Sequence, residues 1–120
     1  MRFLMLIHVD ENGPDEGPPD ALLEAMTVFR ADTTHGRLLD DGGLHPSADG
    51  LRLATEGGRV TQLDGPFAEA KEVIGGFFVV ESSSADDMAV WARAFVDLHA
   101  DLWPGLAYTA EVRQIADMGS

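Results

Sequence analysis

The sequence predicts an α+β fold, a ferredoxin-like sandwich with an added β-hairpin, and two observations predict it. Strand-like stretches with continuous or alternating apolar residues alternate with two stretches whose apolar residues recur at helical spacing. A Gly-Gly turn joins two of the short strands directly, which places a hairpin in the middle of the chain. The resulting order is strand, helix, strand, hairpin, strand, helix, strand, and two helices with a mostly antiparallel set of strands give one sheet with both helices on one face. The opposite face, if apolar, must be covered, and pairing of two such sheets in a homodimer is the simplest solution.

Arg2 to Val9 is a nearly continuous apolar run, too short for a helix of usual length and suited to a central strand covered on both faces. His8, near its end, reads as a packed or capping residue. Asp10 to Asp20 is rich in Gly, Pro and acids and reads as a solvated loop. Pro18-Pro19-Asp20 starts a helix with Leu22, Met26 and Phe29 on its apolar stripe; the helix is expected to reach His35, with Gly36 as its stop. An extended segment begins at Arg37 to Leu39, and Pro46 keeps His45 out of the helical region. Gly50 to Thr55 alternates as a half-buried strand, Glu56-Gly57-Gly58-Arg59 turns the chain, and Val60 to Leu63 returns it.

Phe77 to Glu81 is the next strand, released by Gly75-Gly76. Ser84 with Asp87 resembles a helix N-cap. Met88, Trp91, Phe95 and Leu98 mark the buried face of the second helix, a stripe that reads as core and not as a cofactor box, so no cofactor is expected. Leu102 to Ala107 is a loop, Tyr108 to Ile115 a closing strand, and Ala116 to Ser120 a frayed end.

The 120 residues suffice for one core, so residues 1–120 are expected to form a single domain. Twenty-one acids against 8 bases give a net charge of −13, and the arginines are scattered, which argues against nucleic acid or an anionic membrane as partner. There is no cysteine, no signal peptide and no run long enough to span a bilayer, so a cytoplasmic protein is the expectation. His8, His35, His45 and His99 show no ligand spacing, and no metal site is expected.

The most informative stretch is Leu63 to Glu81. Asp64-Gly65-Pro66-Phe67, followed by Ala68-Glu69, Lys71-Glu72 and Gly75-Gly76-Phe77, resembles the signature of the DGPF group within the YCII-related superfamily. The opening strand, Leu44-His45-Pro46 and Glu111-Val112-Arg113 also fit that group, so the resemblance covers nearly the whole chain. It implies a ferredoxin-like fold that dimerises through its sheets into an α+β barrel, with a cleft between sheet and helices. Its members are mostly uncharacterised bacterial proteins, some associated with sigma factors, and a few wider relatives are enzymes on small aromatic substrates, including a dehydrochlorinase. Some relatives pair a histidine midway along the first helix with an aspartate; the corresponding region around Ala25 is apolar, and that dyad is not carried over.

Two functions stand side by side at this point. One is a dimeric small-molecule-binding domain or enzyme with its cleft near the Asp64 motif; the other is a non-enzymatic structural or regulatory module, linked to sigma-factor-dependent transcription. For the first, Asp64 at a strand exit is the acid/base candidate, with His45 as its catalytic partner. Asp64 before Gly-Pro has a structural alternative, folding back onto nearby backbone amides. Arg52, Phe67, Lys71 and Glu72 are the candidate ligand contacts, Lys71 being the only lysine. His45, Arg52 and Asp64 would form one polar cluster if strand pairing brings their loops together.

Overall fold

The computed structural model describes residues 1–12, 17–67 and 72–117. Its four-stranded sheet is built from β1 (Arg2–Val9), β2 (Arg37–Gly43), β5 (Val73–Glu81) and β6 (Tyr108–Gln114), in the order β2-β5-β1-β6. All neighbours are antiparallel. With α1 (Asp20–Ala31) and α2 (Ala85–Leu102) the arrangement is α+β and compatible with a ferredoxin-like fold. Strands β3 (Leu51–Glu56) and β4 (Arg59–Asp64) form a separate two-stranded hairpin.

The alternation of β1 decides which face is covered. Phe3 and Met5 are 3% and 0% exposed and pack with Val80 of β5 against Met88, Trp91 and Phe95 of α2. Phe29 of α1 joins them, its ring centroid 5.0 Å from that of Trp91. Leu4 and Leu6 point to the other side, as do their partners Val79 and Phe77 on β5, and all four are half-buried with no layer of the described residues over them, so within those residues β1 is covered on one face and not on both. The molecule measures 47 × 42 × 18 Å, the short dimension being one sheet and one helical layer.

Several boundaries differ from the sequence expectation. Helix α1 ends at Ala31, because Asp32 accepts hydrogen bonds from the amide (3.0 Å) and hydroxyl (2.6 Å) of Thr34 and holds an Asx turn instead of another helical turn. His35 therefore lies in the connecting loop, where its carbonyl accepts from Ser82 Oγ at 2.6 Å. Gly36 is not a helix stop but a packing position: a Cβ there would lie 2.9 Å from Val80 Cγ1. Strand β2 runs on to Gly43, β4 includes Asp64, and β5 begins four residues before Phe77, with Gly75 as the extra residue of a bulge opposite Ile7 and His8. Gly57 and Gly58 have the positive φ values expected of the hairpin turn, 58° and 79°. Ser84 caps α2, accepting from the amide of Asp87 at 3.0 Å.

No described helix is long and apolar enough to cross a membrane.

Candidate functional site

The Asp64 motif forms a corner knitted to the segment after β2. Ser47, only 8% exposed, lies in a 3-10 turn, Ser47–Asp49, that the sequence expectation did not include. Its hydroxyl donates to Glu11 Oε1 and accepts from the amide of Phe67 at 3.1 Å, while its own amide donates to Glu11 Oε2 at 3.0 Å. These hydrogen bonds from the Ser47 hydroxyl and then its amide hold the Glu11 carboxyl below its ordinary pKa. The Gly65 amide donates to the Gly50 carbonyl at 2.9 Å, closing the base of the hairpin, and the Gly65-Pro66 peptide is cis. The residue types of the motif follow from this geometry: Gly65 is pressed onto the Ser47 carbonyl, and the freed amide of Phe67 reaches the serine.

The structure brings two of the predicted contact residues together. The Arg52 guanidinium carbon lies 3.9 Å from the centroid of the Phe67 ring, a cation–π contact across the root of the hairpin. Asp64 is exposed and accepts from Gln62 Nε2 at 2.8 Å, a side-chain partner two residues back and not the backbone amides expected of it. His45 is 88% exposed at its side chain and faces Asp49 at 3.5 Å. Among the described residues no hydrogen bond or ion pair joins His45, Arg52 and Asp64. Glu72 is exposed at the entry to β5, and Lys71 lies outside the described residues.

A second group, on the uncovered face of the sheet, was not singled out from the sequence. His8 Nε2 is 2.9 Å from Glu111 Oε1, and the other Glu111 oxygen lies 4.0 Å from Arg113 Nη1. The antiparallel register of β1 and β6 sets Glu111 opposite Leu6 and Thr109 opposite His8, so the pair is a diagonal neighbour on one face. Leu4, Leu6, Phe77 and Val79 share that face, with Thr109 opposite His8 and Asp40 opposite Val79. The Phe77 ring lies across Gly42, where a Cβ would come within 2.8 Å of it. The signal present in the sequence was parity, since His8 falls on the same side as Leu4 and Leu6 in a strict alternation; the pairing of the first strand with the last was needed to supply Glu111.

Both groups sit at one end of the sheet. Glu11, which anchors Ser47, follows β1 by two residues, and His8 is the penultimate residue of that strand. Two shallow depressions lie elsewhere. One, about 490 Å³, is an apolar groove between α2 and the sheet edge lined by Phe3, Met88, Ala92 and Val112; the other, about 540 Å³, is a polar hollow around His35 and Ser82.

A model of the YCII-related domain matches residues 1–103 of the chain. The chain is also 28% identical, over 97 residues, to an uncharacterized protein of Rhizobium meliloti (strain 1021), with 78% of each chain covered. Residues 1–103, the span of the family match, take in the central strand, both helices, the hairpin and the Ser47–Phe67 corner, and the chain belongs to the YCII-related domain family.

Proposed function

We propose that the protein works as a homodimer whose two sheets face each other and enclose a small-molecule site at the end of the sheet where the Asp64 corner lies. The observation that carries this reading is the one-sided burial of the sheet. Phe3, Met5 and Val80 are sealed beneath the helices, whereas Leu4, Leu6, Phe77 and Val79 form an apolar floor with none of the described residues above it. A second copy offers the same floor, and face-to-face pairing closes the two into one apolar-lined chamber shielded from bulk water. In this reading the chamber is an α+β barrel, Asp64 and His45 supply acid/base chemistry at its rim, and Arg52, Phe67, Lys71 and Glu72 contact the ligand. The absence of cysteine fits a cytoplasmic setting.

Sedimentation velocity of the wild type and of Leu6→Lys tests the dimer: the wild type is expected at twice the chain mass and the variant at the monomer mass. A thermal-shift screen against small aromatic and carboxylate compounds tests the site, with stabilisation expected for the wild type and lost in Asp64→Ala. A monomeric wild type that no compound stabilises sinks the reading.

One observation favours the non-enzymatic alternative. Leu51, Leu53 and Val60 of the hairpin are 54%, 63% and 68% exposed on one face of β3–β4, an apolar stripe suited to a protein partner. Loss of a dimer or partner contact in Leu53→Asp, with ligand-induced stabilisation unchanged, would assign the hairpin to interaction.

A further inference from the structure

The geometry points to His8 as a proton acceptor for a small weak acid, one hydroxyl on an apolar body, bound on the open sheet face, with Glu111 as the residue that positions it. The inference rests on the ligand-binding reading above and assigns chemistry to that site.

The argument begins with the hydrogen bond. An ionised carboxylate accepts only, so at 2.9 Å from Glu111 Oε1 it is His8 Nε2 that carries the hydrogen, and the lone pair of the neutral ring is placed on Nδ1. Nδ1 makes no hydrogen bond among the described residues, and the side chain keeps 25% of its surface open. A carboxylate that fixes the tautomer of an imidazole and leaves its other nitrogen free is the arrangement by which a histidine serves as a general base. Arg113, 4.0 Å from the second Glu111 oxygen, balances the carboxylate charge on the side away from His8. From β5 the residues on this face nearest His8 are Ile74 and Phe77, neither of them titratable, and Glu81 lies at the far end of the strand opposite Arg2, so Glu111 and Arg113 of β6 are the charged groups closest to His8 on the adjoining strands.

The floor selects the ligand. Leu4, Leu6, Phe77 and Val79 offer an apolar surface bordered by Asp40 opposite Val79, which suits a flat or compact apolar body; at its other end His8 offers a nitrogen acceptor, with the Thr109 hydroxyl on the strand beside it. In the step itself the Nδ1 lone pair takes the ligand's hydroxyl proton, the O–H bond breaks, and its electron pair stays on the ligand oxygen. The products are an oxyanion and an imidazolium flanked by Glu111. No oxidant, reductant or third reactant is required.

The test uses the full-length protein with 4-nitrophenol, whose ionisation is visible as a colour change, and 4-nitroanisole, which has the same body without the proton. Binding is read from the methyl resonances of Leu4 and Leu6, ionisation from absorbance. The wild type is expected to bind both compounds and to lower the apparent pKa of bound 4-nitrophenol by about one pH unit, as a facing cation does. His8→Gln, which retains a donor toward Glu111, should bind both and leave the ionisation where it is in free solution. Glu111→Gln should bind 4-nitrophenol with a smaller lowering, and Glu111→Asp should restore part of it, which a merely structural carboxylate would not do. Binding of both probes with no change of ionisation in the wild type overturns His8 as proton acceptor while leaving the ligand site standing. No perturbation of the Leu4 and Leu6 methyls by either probe overturns the site as well. Circular dichroism of each variant checks that the fold is intact.

Discussion

Gly65 lies so close to Ser47 that a Cβ built on it would be 1.6 Å from the Ser47 carbonyl oxygen. The neighbouring atom is backbone and cannot swing away, so no rotamer change relieves the clash. Gly65→Ala is therefore expected to destabilise the protein by about 3 kcal/mol or more, at the upper end of the cost of overpacking. Urea unfolding followed by circular dichroism measures it; a variant within about 0.5 kcal/mol of wild type, the ordinary range for surface positions, would mean that the corner opens at little cost.

Ser47 satisfies partners on both sides of the corner. Its hydroxyl accepts from the Phe67 amide and donates to Glu11, and removing it leaves the amide without its acceptor. Ser47→Ala should cost about 1–3 kcal/mol, the penalty for a polar group stranded in a partly buried place. Ser47→Thr, which keeps the hydroxyl, should recover part of the loss in the same unfolding experiment.

The same serine sets a pH dependence. Glu11 is held below its ordinary carboxyl value of 4.5 by Ser47, and Asp32 and Asp87 are held below 3.8, chiefly by the hydroxyls of Thr34 and Ser83. Each folded-state value is depressed, so in acid the folded chain binds fewer protons than the unfolded one. The stabilisation is fully present above the ordinary values and fades as the pH falls through the depressed ones. Melting temperatures taken from pH 7 down to pH 3 should fall below about pH 4.5. The fall should be shallower in Ser47→Ala, and carbon-13 titration should return its Glu11 carboxyl to the ordinary range.

Tyr108 carries the opposite imbalance. Its hydroxyl is buried with no hydrogen-bond partner among the described residues, and burial raises the phenol pKa above its usual value. The ring itself packs edge-on to His99, with centroids 6.0 Å apart. Tyr108→Phe keeps the ring and discards the unsatisfied group, so it should be neutral or stabilising by up to about 1–2 kcal/mol. A clear fall in melting temperature would show that the hydroxyl has a partner in solution.

The scaffold was legible in the sequence where one physical pattern acted alone. The apolar run of β1, the helical stripe of Met88, Trp91 and Phe95, the Ser84 cap and the Gly57-Gly58 turn each follow from local composition, periodicity or backbone freedom, and each lies where expected. Boundaries were lost where a side chain competed with the backbone, as Asp32 does at the end of α1. Gly36 misled for a different reason: a glycine after a helical stretch reads as a stop, and only the tertiary approach of Val80 and Trp91 reveals its use. At the site, the motif residues were visible and their partners were not. Ser47 and Glu11 are separated from Phe67 by 20 and more residues, and Glu111 from His8 by 103, distances in sequence that no local rule bridges.

The hydrogen bond from Gly65 to Gly50 joins the two residues that flank the hairpin. Everything between them, residues 51–64, carries two arginines, one glutamate and one aspartate, so all of the chain's excess negative charge resides in the remainder. The hairpin packs chiefly on itself, and every one of its strand residues is exposed. The chain thus closes its loop before the arm begins, and the arm is a natural grafting point. A shortened turn, a fluorophore or a foreign binding loop placed between Gly50 and Gly65 meets ends already held together, and the entropy of bringing them there has been spent by the corner.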